Sequence, residues 1–307
     1  MNRHATDIIK HLERVTATGR SQSNIFDDWL ELVQASLEAL PAHLRSAHQG
    51  QPLTDTPETQ ALLARLRNWY PQSWCWQEFT AAFGILLDSA TEWQDTLGTA
   101  YMDFGIPNKY TGQFFTPYDL AEAMAEMTMI GVEQQVHERI KAAIAKDPLA
   151  QAMTLAGATC QTAQEAEAWF FGHVLPAALP HVEPVTVCDC CCGSGVMLLA
   201  AASRCPRWAL DYGLVQFYGQ DIDLTCVRMA RVNLMVYGLN SFNLKCALEL
   251  TPAELQALPE PFAGAYSEAQ TAQAAGDVQQ VEQIAVDLRA GRYVQAGLFE
   301  ISVSEGG

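Results

Sequence analysis

The chain is short of bases. Its 307 residues hold 18 Lys and Arg against 35 Asp and Glu, a formal net charge of −17. Phosphate neutralisation by Lys and Arg supplies most non-specific affinity for nucleic acid. This composition therefore excludes a protein that grips DNA or RNA unaided over a broad basic face; a local patch or a partner must bring the cations. Long acidic runs are missing as well, which argues against a carboxylate-studded mimic of DNA. No stretch approaches the roughly 18 consecutive apolar residues of a membrane span. The opening Met1-Asn2-Arg3-His4 leads into a polar run without the apolar core of a secretion signal. A cytoplasmic protein with no membrane partner is the expectation. There are no internal repeats, and with 49% apolar and 17% charged residues the chain reads as globular, with room for more than one domain.

Paired metal-ligand spacing is also lacking. Of nine cysteines, Cys188, Cys190, Cys191, Cys192 and Cys205 crowd one region, with no second cluster and no histidine pair beside them. A zinc site needs two separated ligand pairs. The expectation is no metal, and reduced thiols packed as small apolar side chains around a tight turn.

What is present begins with helical periodicity over residues 1–108. Ile25, Trp29, Leu32, Val33, Leu37 and Leu40 form one amphipathic stripe, which Pro41 should end. Leu62, Leu63, Leu66 and Trp69 form another, closed by Pro71, and residues 46–57 between them read as a loop. Trp69, Tyr70, Trp74, Trp76 and Phe79 are spaced as core aromatics rather than as a base-stacking platform. Around Thr116 and Pro117 a helix start is expected, with a helix over 119–129 and Met124 and Met127 on its apolar side. Residues 131–180, rich in alanine and glutamine, read as a helical insertion.

The segment 185–202 carries the chemistry. An apolar run leads into Asp189-Cys190-Cys191-Cys192-Gly193-Ser194-Gly195, and a second apolar run follows, which reads as strand, glycine loop and helix start. Glycines in such a loop let a nucleotide-like ligand approach the backbone and the helix N-terminus. A second strand is predicted over 214–219, ending at Gln220-Asp221-Ile222-Asp223, and then a helix over 224–237 closed by Gly238. A carboxylate at the tip of the second strand suits the hydroxyls of a ribose. Asp221 is the candidate, with Asp223 as its neighbour. A dinucleotide fingerprint would need a small residue where Leu198 stands, which counts against NAD. Beyond 250, a helix over 267–289 and a strand over 294–303 are predicted.

Three of these motifs together resemble the adenine-N6 DNA methyltransferases, in particular the modification subunits of type I restriction-modification systems. Gly112-Gln113-Phe114-Phe115-Thr116-Pro117 is similar to the family's motif beside the methionine end of its cofactor. Residues 189–195 resemble its Asp-Pro-Ala-Cys-Gly-Ser-Gly loop, with Cys190-Cys191 in place of Pro-Ala. Tyr218-Gly219-Gln220-Asp221-Ile222-Asp223, followed by Ala230-Arg231-Val232-Asn233-Leu234 and Gly238, resembles the acidic strand and next helix. The resemblance spans residues 96–250. It implies an α/β, Rossmann-like class I methyltransferase core, truncated or incomplete, behind a helical N-terminal domain. The segments would be 1–108 helical, 109–180 motif helix and insertion, 181–250 cofactor core, and 251–307 a C-terminal helix and strand.

It further implies S-adenosyl-L-methionine as cofactor, held by Thr116, Pro117, Asp189, Cys192, Gly193, Ser194, Gly195, Asp221 and Ile222. For Asp189, a role in organising the loop stands beside cofactor contact. Phe114 and Phe115 are expected to pack under the sheet. The catalytic signature of the family, Asn or Asp, then Pro-Pro and an aromatic residue, holds the exocyclic amine of a flipped adenine. No Pro-Pro dipeptide exists in the chain; the nearest echo is Pro259-Glu260-Pro261-Phe262, whose first residue has no side-chain acceptor. A Gly-Asp or Gly-Asn pair near the adenine ring is absent or displaced around 244–248, and the 84 residues after Asp223 look too few for the remaining strands and a target-recognition region. No catalytic residue can be assigned. The expectation is therefore a cofactor-binding, methyltransferase-like subunit or regulator, inactive alone, that meets DNA with a protein partner or as a homo-oligomer. The alternatives are an enzyme completed by a partner chain, and an interaction protein on a methyltransferase fold.

Overall fold

A computed structural model describes residues 2–106, 115–239 and 244–246. Its first part is helical: α1 (Arg3–Val15), α2 (Gln22–His48), α3 (Pro57–Trp69), α4 (Ser73–Asp88) and α5 (Thr96–Asp103). The apolar residues of α1 recur at helical spacing, and Ala5, Ile8, Leu12 and Val15 are fully buried. Ser21, Thr56 and Asp95 cap α2, α3 and α5 through their side-chain oxygens. Trp29 of α2 is fully buried and donates its indole N–H to the Phe79 carbonyl at 3.1 Å, so its one polar atom is satisfied in the core.

Proline 41 does not end the second helix. Helix α2 continues through it to His48, so the loop expected from 46 begins three residues later. The second half of α2 is largely exposed, Pro41, Leu40 and Leu44 included, so the helix bond that Pro41 cannot donate is lost in a stretch open to water. The aromatic knot divides: Tyr70 and Phe79 are buried and meet edge to face at 5.1 Å, while Trp69 and Trp74 stand at the surface. Arg20 lies over the Trp69 ring at 4.1 Å and Arg65 at 5.1 Å. Beneath them Arg20, Tyr70 and buried Asp28 form a closed polar cluster. The Tyr70 hydroxyl donates to Asp28 at 2.7 Å and accepts from Arg20 at 2.9 Å, and Arg20 also donates to Asp28 at 2.8 Å.

Helix α6 (Tyr118–Thr128) follows, and then the insertion: α7 (Val132–Lys146), α8 (Pro148–Gly157), α9 (Ala163–Trp169), a π-helical turn over Phe170–Val174, and α10 (Leu175–Ala178). Helices account for most of residues 132–178. In α6 the buried residues are Ala121 and Ala125, and Met127 is exposed. The contact of α6 with the helix after the glycine loop is centred on Ala121, Ala125, Val196 and Ala200, with Met129 and Met197 packed at its edge, and Met127, two residues past Ala125, falls on the opposite side of α6.

The α/β part comprises β1 (Val185–Asp189), α11 (Val196–Ser203), α12 (Arg207–Asp211), β2 (Val215–Asp221), α13 (Leu224–Val236) and β3 (Leu244–Cys246). All three strands are parallel in the order β1-β2-β3, with Val187 opposite Phe217 and Gln220 opposite Lys245. This is the strand order of one half of a doubly wound sheet. Strand β3 falls where the sequence reading placed only a displaced polar contact. One face of the sheet, with Val187, Val215 and Phe217, is packed under α7 and α11, whereas Thr186 and Cys188 on the other face are exposed.

Helix α13 is buried on two sides. Cys226, Met229 and Val232 enter the core of α1, α2, α4 and α5, and Val227, Ala230 and Leu234 enter the core of the sheet. Along its α2 side, Thr225 donates to Asp27 at 2.9 Å, Arg228 faces Glu31 at 3.6 Å, and Arg231 faces Glu38 at 3.7 Å. Among the described residues no helix is long and apolar enough to cross a membrane. The predicted helix over 267–289 and strand over 294–303 lie outside the described residues, as do residues 111–114 and the Pro259-Glu260-Pro261-Phe262 echo.

Candidate functional site

Strand β1 ends at Asp189, and α11 begins at Val196. The six residues between them turn the chain through two left-handed glycines, Gly193 at φ +53° and Gly195 at φ +86°. Both positions need glycine. At Gly195 a side-chain carbon would lie 3.0 Å from the Ala230 Cβ and 3.1 Å from its Cα, so the missing side chain lets α11 start against α13. At Gly193 it would meet the Phe115 ring at 3.1 Å. The turn is closed by Gly195 N–H donating to the Cys192 carbonyl at 2.7 Å, and it is moored to β2 by Cys192 N–H donating to the Gln220 carbonyl at 2.9 Å.

Asp221 is the last residue of β2 and only 6% exposed. One carboxylate oxygen accepts from Gly193 N–H at 2.9 Å and the other from Asp223 N–H at 3.0 Å. Asp221 thus pins the glycine loop to the strand tip. Its neighbour Asp223 does different work, capping α13 by accepting from Thr225 N–H at 2.9 Å. Ile222 between them is partly buried. Across the loop, Asp189 accepts from Cys191 N–H at 3.0 Å. Burial and the nearby Asp221 carboxylate raise the Asp189 carboxyl from 3.8 to about 6 against the opposing pull of the Cys191 amide.

The cysteines do not share one role. Cys192 is buried under the turn, as expected of a small apolar side chain, and burial lifts its thiol well above the usual range. Cys188 and Cys191 are exposed, contrary to the packing expectation. Cys188 points to the uncovered face of the sheet, where no helix among the described residues gives it a core to join. A hydrogen bond from Cys190 lowers the Cys188 thiol.

Phe115 reaches the loop and packs between Gly193 and Tyr101, whose ring centroid is 5.7 Å away. It belongs to the rim of the helical core and does not lie under the sheet. This contact joins Phe115, the first described residue of the 112–117 motif, to the glycine loop. Thr116 is partly buried and Pro117 exposed. Pro117, not Thr116, occupies the capping position of α6, and it offers no side-chain oxygen. The fixed φ of proline starts the helix there.

One residue of the site, Asp95, escaped the sequence reading, and so did the bonds that tie it to Ser194 and Asn233. All three are buried and mutually hydrogen-bonded, yet Asp95 and Asn233 lie 138 residues apart. Ser194 Oγ donates to one Asp95 oxygen, while the other accepts from Gly98 N–H at 2.8 Å and from Asn233 Nδ2 at 2.9 Å. Asn233 also donates to the Ser194 carbonyl at 2.9 Å. A side chain on Gly98 would overlap both the Asp95 carboxylate and the Ser194 hydroxyl. Burial pushes the Asp95 carboxyl up, and its three donors pull it back. One signal was visible in advance: Asn233 is a polar residue on a face of α13 that otherwise reads as core.

The loop, the acidic strand tip and α13 all fall inside one recognisable segment. Residues 173–257 match the N-6 DNA methylase family. The chain thus resembles adenine-N6 DNA methyltransferases over the stretch that holds Asp189, the glycine loop, Asp221 and Asn233. Residues 112–117 and Asp95 precede the matched stretch. No curated protein and no solved structure gave a significant match.

Proposed function

We propose that the chain is a DNA methyltransferase-like protein that binds S-adenosyl-L-methionine at the glycine loop. It acts as a subunit that depends on a partner for DNA and for the group that holds the target amine. The observation that carries this reading is the bond from Gly193 N–H to Asp221. It joins a two-glycine loop to an acidic strand tip inside the N-6 DNA methylase segment. The parallel β1-β2-β3 order supports a core of the methyltransferase type.

The residues fit the cofactor in charge as well as in shape. Asp189 is pushed toward its neutral form by burial and by Asp221, so a positively charged ligand beside it would recover that cost. The bound cofactor supplies an electrophilic methyl group on a sulfonium that carries such a charge. The loop residues Gly193 and Gly195 bring backbone to the ligand without side-chain bulk, and Asp221 sets where the loop sits. For Asp221 to serve a ribose as well, its oxygens must accept a hydroxyl beside the amides they already hold. The dependence on a partner rests on two absences: no Pro-Pro dipeptide, and few bases to neutralise phosphate.

Titration calorimetry with S-adenosylmethionine tests the first half of the proposal. Saturable heat at a stoichiometry near one supports it, and no heat from folded protein refutes it. Transfer of tritiated methyl to adenine-containing DNA tests the second half. Incorporation by the isolated chain would overturn the dependence on a partner.

A further inference from the structure

The glycine loop is not held by the α/β part alone. Its central serine is bonded to a carboxylate that comes from the start of α5, nearly a hundred residues earlier in the chain. Asp95 is 5% exposed, Ser194 fully buried and Asn233 1% exposed, so no water competes for these bonds. Asp95 caps α5 with one oxygen and takes the Ser194 hydroxyl on the other. Asn233 closes the triangle from α13 by giving one N–H to Asp95 and the other to the Ser194 carbonyl. Ser194 is therefore fixed at both its side chain and its backbone. It lies between the two left-handed glycines, so fixing it fixes the loop. Gly98 completes the arrangement, since any side chain there would fill the space of the Asp95–Ser194 bond.

We infer that Asp95 is a positioning residue for the glycine loop, through which the helical region sets the affinity of the loop for its ligand. A carboxylate suits this task because it can accept from an amide, a hydroxyl and a carboxamide at once, each in a different direction. Buried and fully bonded, such a group has one low-energy arrangement, whereas a partly bonded one is costly. Loop order and the seating of α5 thus become a single event, and ligand that orders the loop also tightens α5 against it. The inference rests on the reading of this loop as a cofactor site.

The test uses the full chain as wild type, Asp95→Ala, Ser194→Ala and, as a control outside this cluster, Tyr70→Phe. Amide hydrogen exchange at the loop and S-adenosylmethionine affinity by calorimetry are both measured at 15 °C. Variants that remain folded should show at least tenfold faster exchange at Cys192, Gly193 and Gly195 in Asp95→Ala and Ser194→Ala, and at least tenfold weaker binding. Tyr70→Phe should leave the affinity unchanged and speed loop exchange by no more than its loss of global stability allows. A double variant carrying Asp95→Ala and Ser194→Ala should bind no worse than the weaker-binding of the two single variants. If Asp95→Ala fails to fold, Ser194→Ala carries the measurement. Loop exchange that stays at the wild-type rate overturns the positioning role. Faster exchange with unchanged affinity overturns the coupling to ligand. A wild type that binds no S-adenosylmethionine refutes the cofactor reading, while the exchange rates still decide whether Asp95 positions the loop.

Discussion

Replacing Gly195 with alanine tests whether the loop geometry is required by packing or only by backbone conformation. Gly195 has φ +86°, and an added carbon would lie 3.0 and 3.1 Å from Ala230, the second contact being with backbone that cannot rotate away. The left-handed conformation costs a non-glycine residue about 1–2 kcal/mol. Forcing apart two packed helices adds about 1–3 kcal/mol. Gly195→Ala should therefore destabilise by about 2–5 kcal/mol as the sum of these two terms. Two other glycines separate the contributions. At Gly213, with φ +67° and open space around it, only the conformational cost applies, about 1–2 kcal/mol. At Gly193, with φ +53°, the added carbon meets the Phe115 ring, a side chain that can shift, so the loss should fall between the other two. Urea unfolding followed by circular dichroism gives all three values, provided the slope with denaturant is unchanged. Equal losses at the three positions would refute the packing argument. A loss below about 1 kcal/mol at Gly195 would refute the geometry of the turn itself.

At Asp189 the sign of the pH dependence can be worked out. Its folded value, about 6, lies above the ordinary 3.8. Its contribution to stability is therefore full below 3.8 and is lost as the pH rises through 6. A shift of about two units is worth at most about 3 kcal/mol. Asp189→Asn, which keeps an acceptor for the Cys191 amide, should stabilise the protein by about 1–3 kcal/mol at pH 7.5 and by nearly nothing at pH 4; a difference independent of pH would contradict this. Tyr70→Phe removes one donor from buried Asp28 and one acceptor from Arg20, and should cost about 1–3 kcal/mol in urea unfolding; no loss would mean the cluster contributes nothing. Exposed Cys188 should react with maleimide before buried Cys192, Cys205 and Cys226, as mapped by peptide mass spectrometry. Burial raises the Cys205 thiol to about 12, and early labelling there would contradict the packing.

Local pattern accounts for what the sequence made legible. The two main strands, the glycine turn and α13 were readable because apolar runs, glycines and a capping Gly238 mark them within a few residues of each other. Strand β3 carried no such mark, being three residues long and defined by its pairing with Gly219, Gln220 and Asp221. The passage of α2 through Pro41 depends on which side of the helix meets water, and the exposure of Met127 on which face of α6 meets α11. The site divides the same way. Asp221 was legible as a strand-tip acid, but its bond to Gly193 was not, since the loop must fold before that amide exists as a partner. Asp95 gave no sign beyond a helix-capping pattern, because both its remote partners are set by tertiary packing.

The two buried sides of α13 bear on how such a chain can be divided. A fragment beginning at the glycine loop would inherit that loop and the acidic strand tip but not the conditions that shape them. It would expose Cys226, Met229 and Val232 to water, leave Arg228 and Arg231 without their acidic partners on α2, and strip Ser194 of its carboxylate. The helical region and the sheet should therefore melt as one cooperative unit. A matched segment of 85 residues is not, in this chain, a module that can be moved alone.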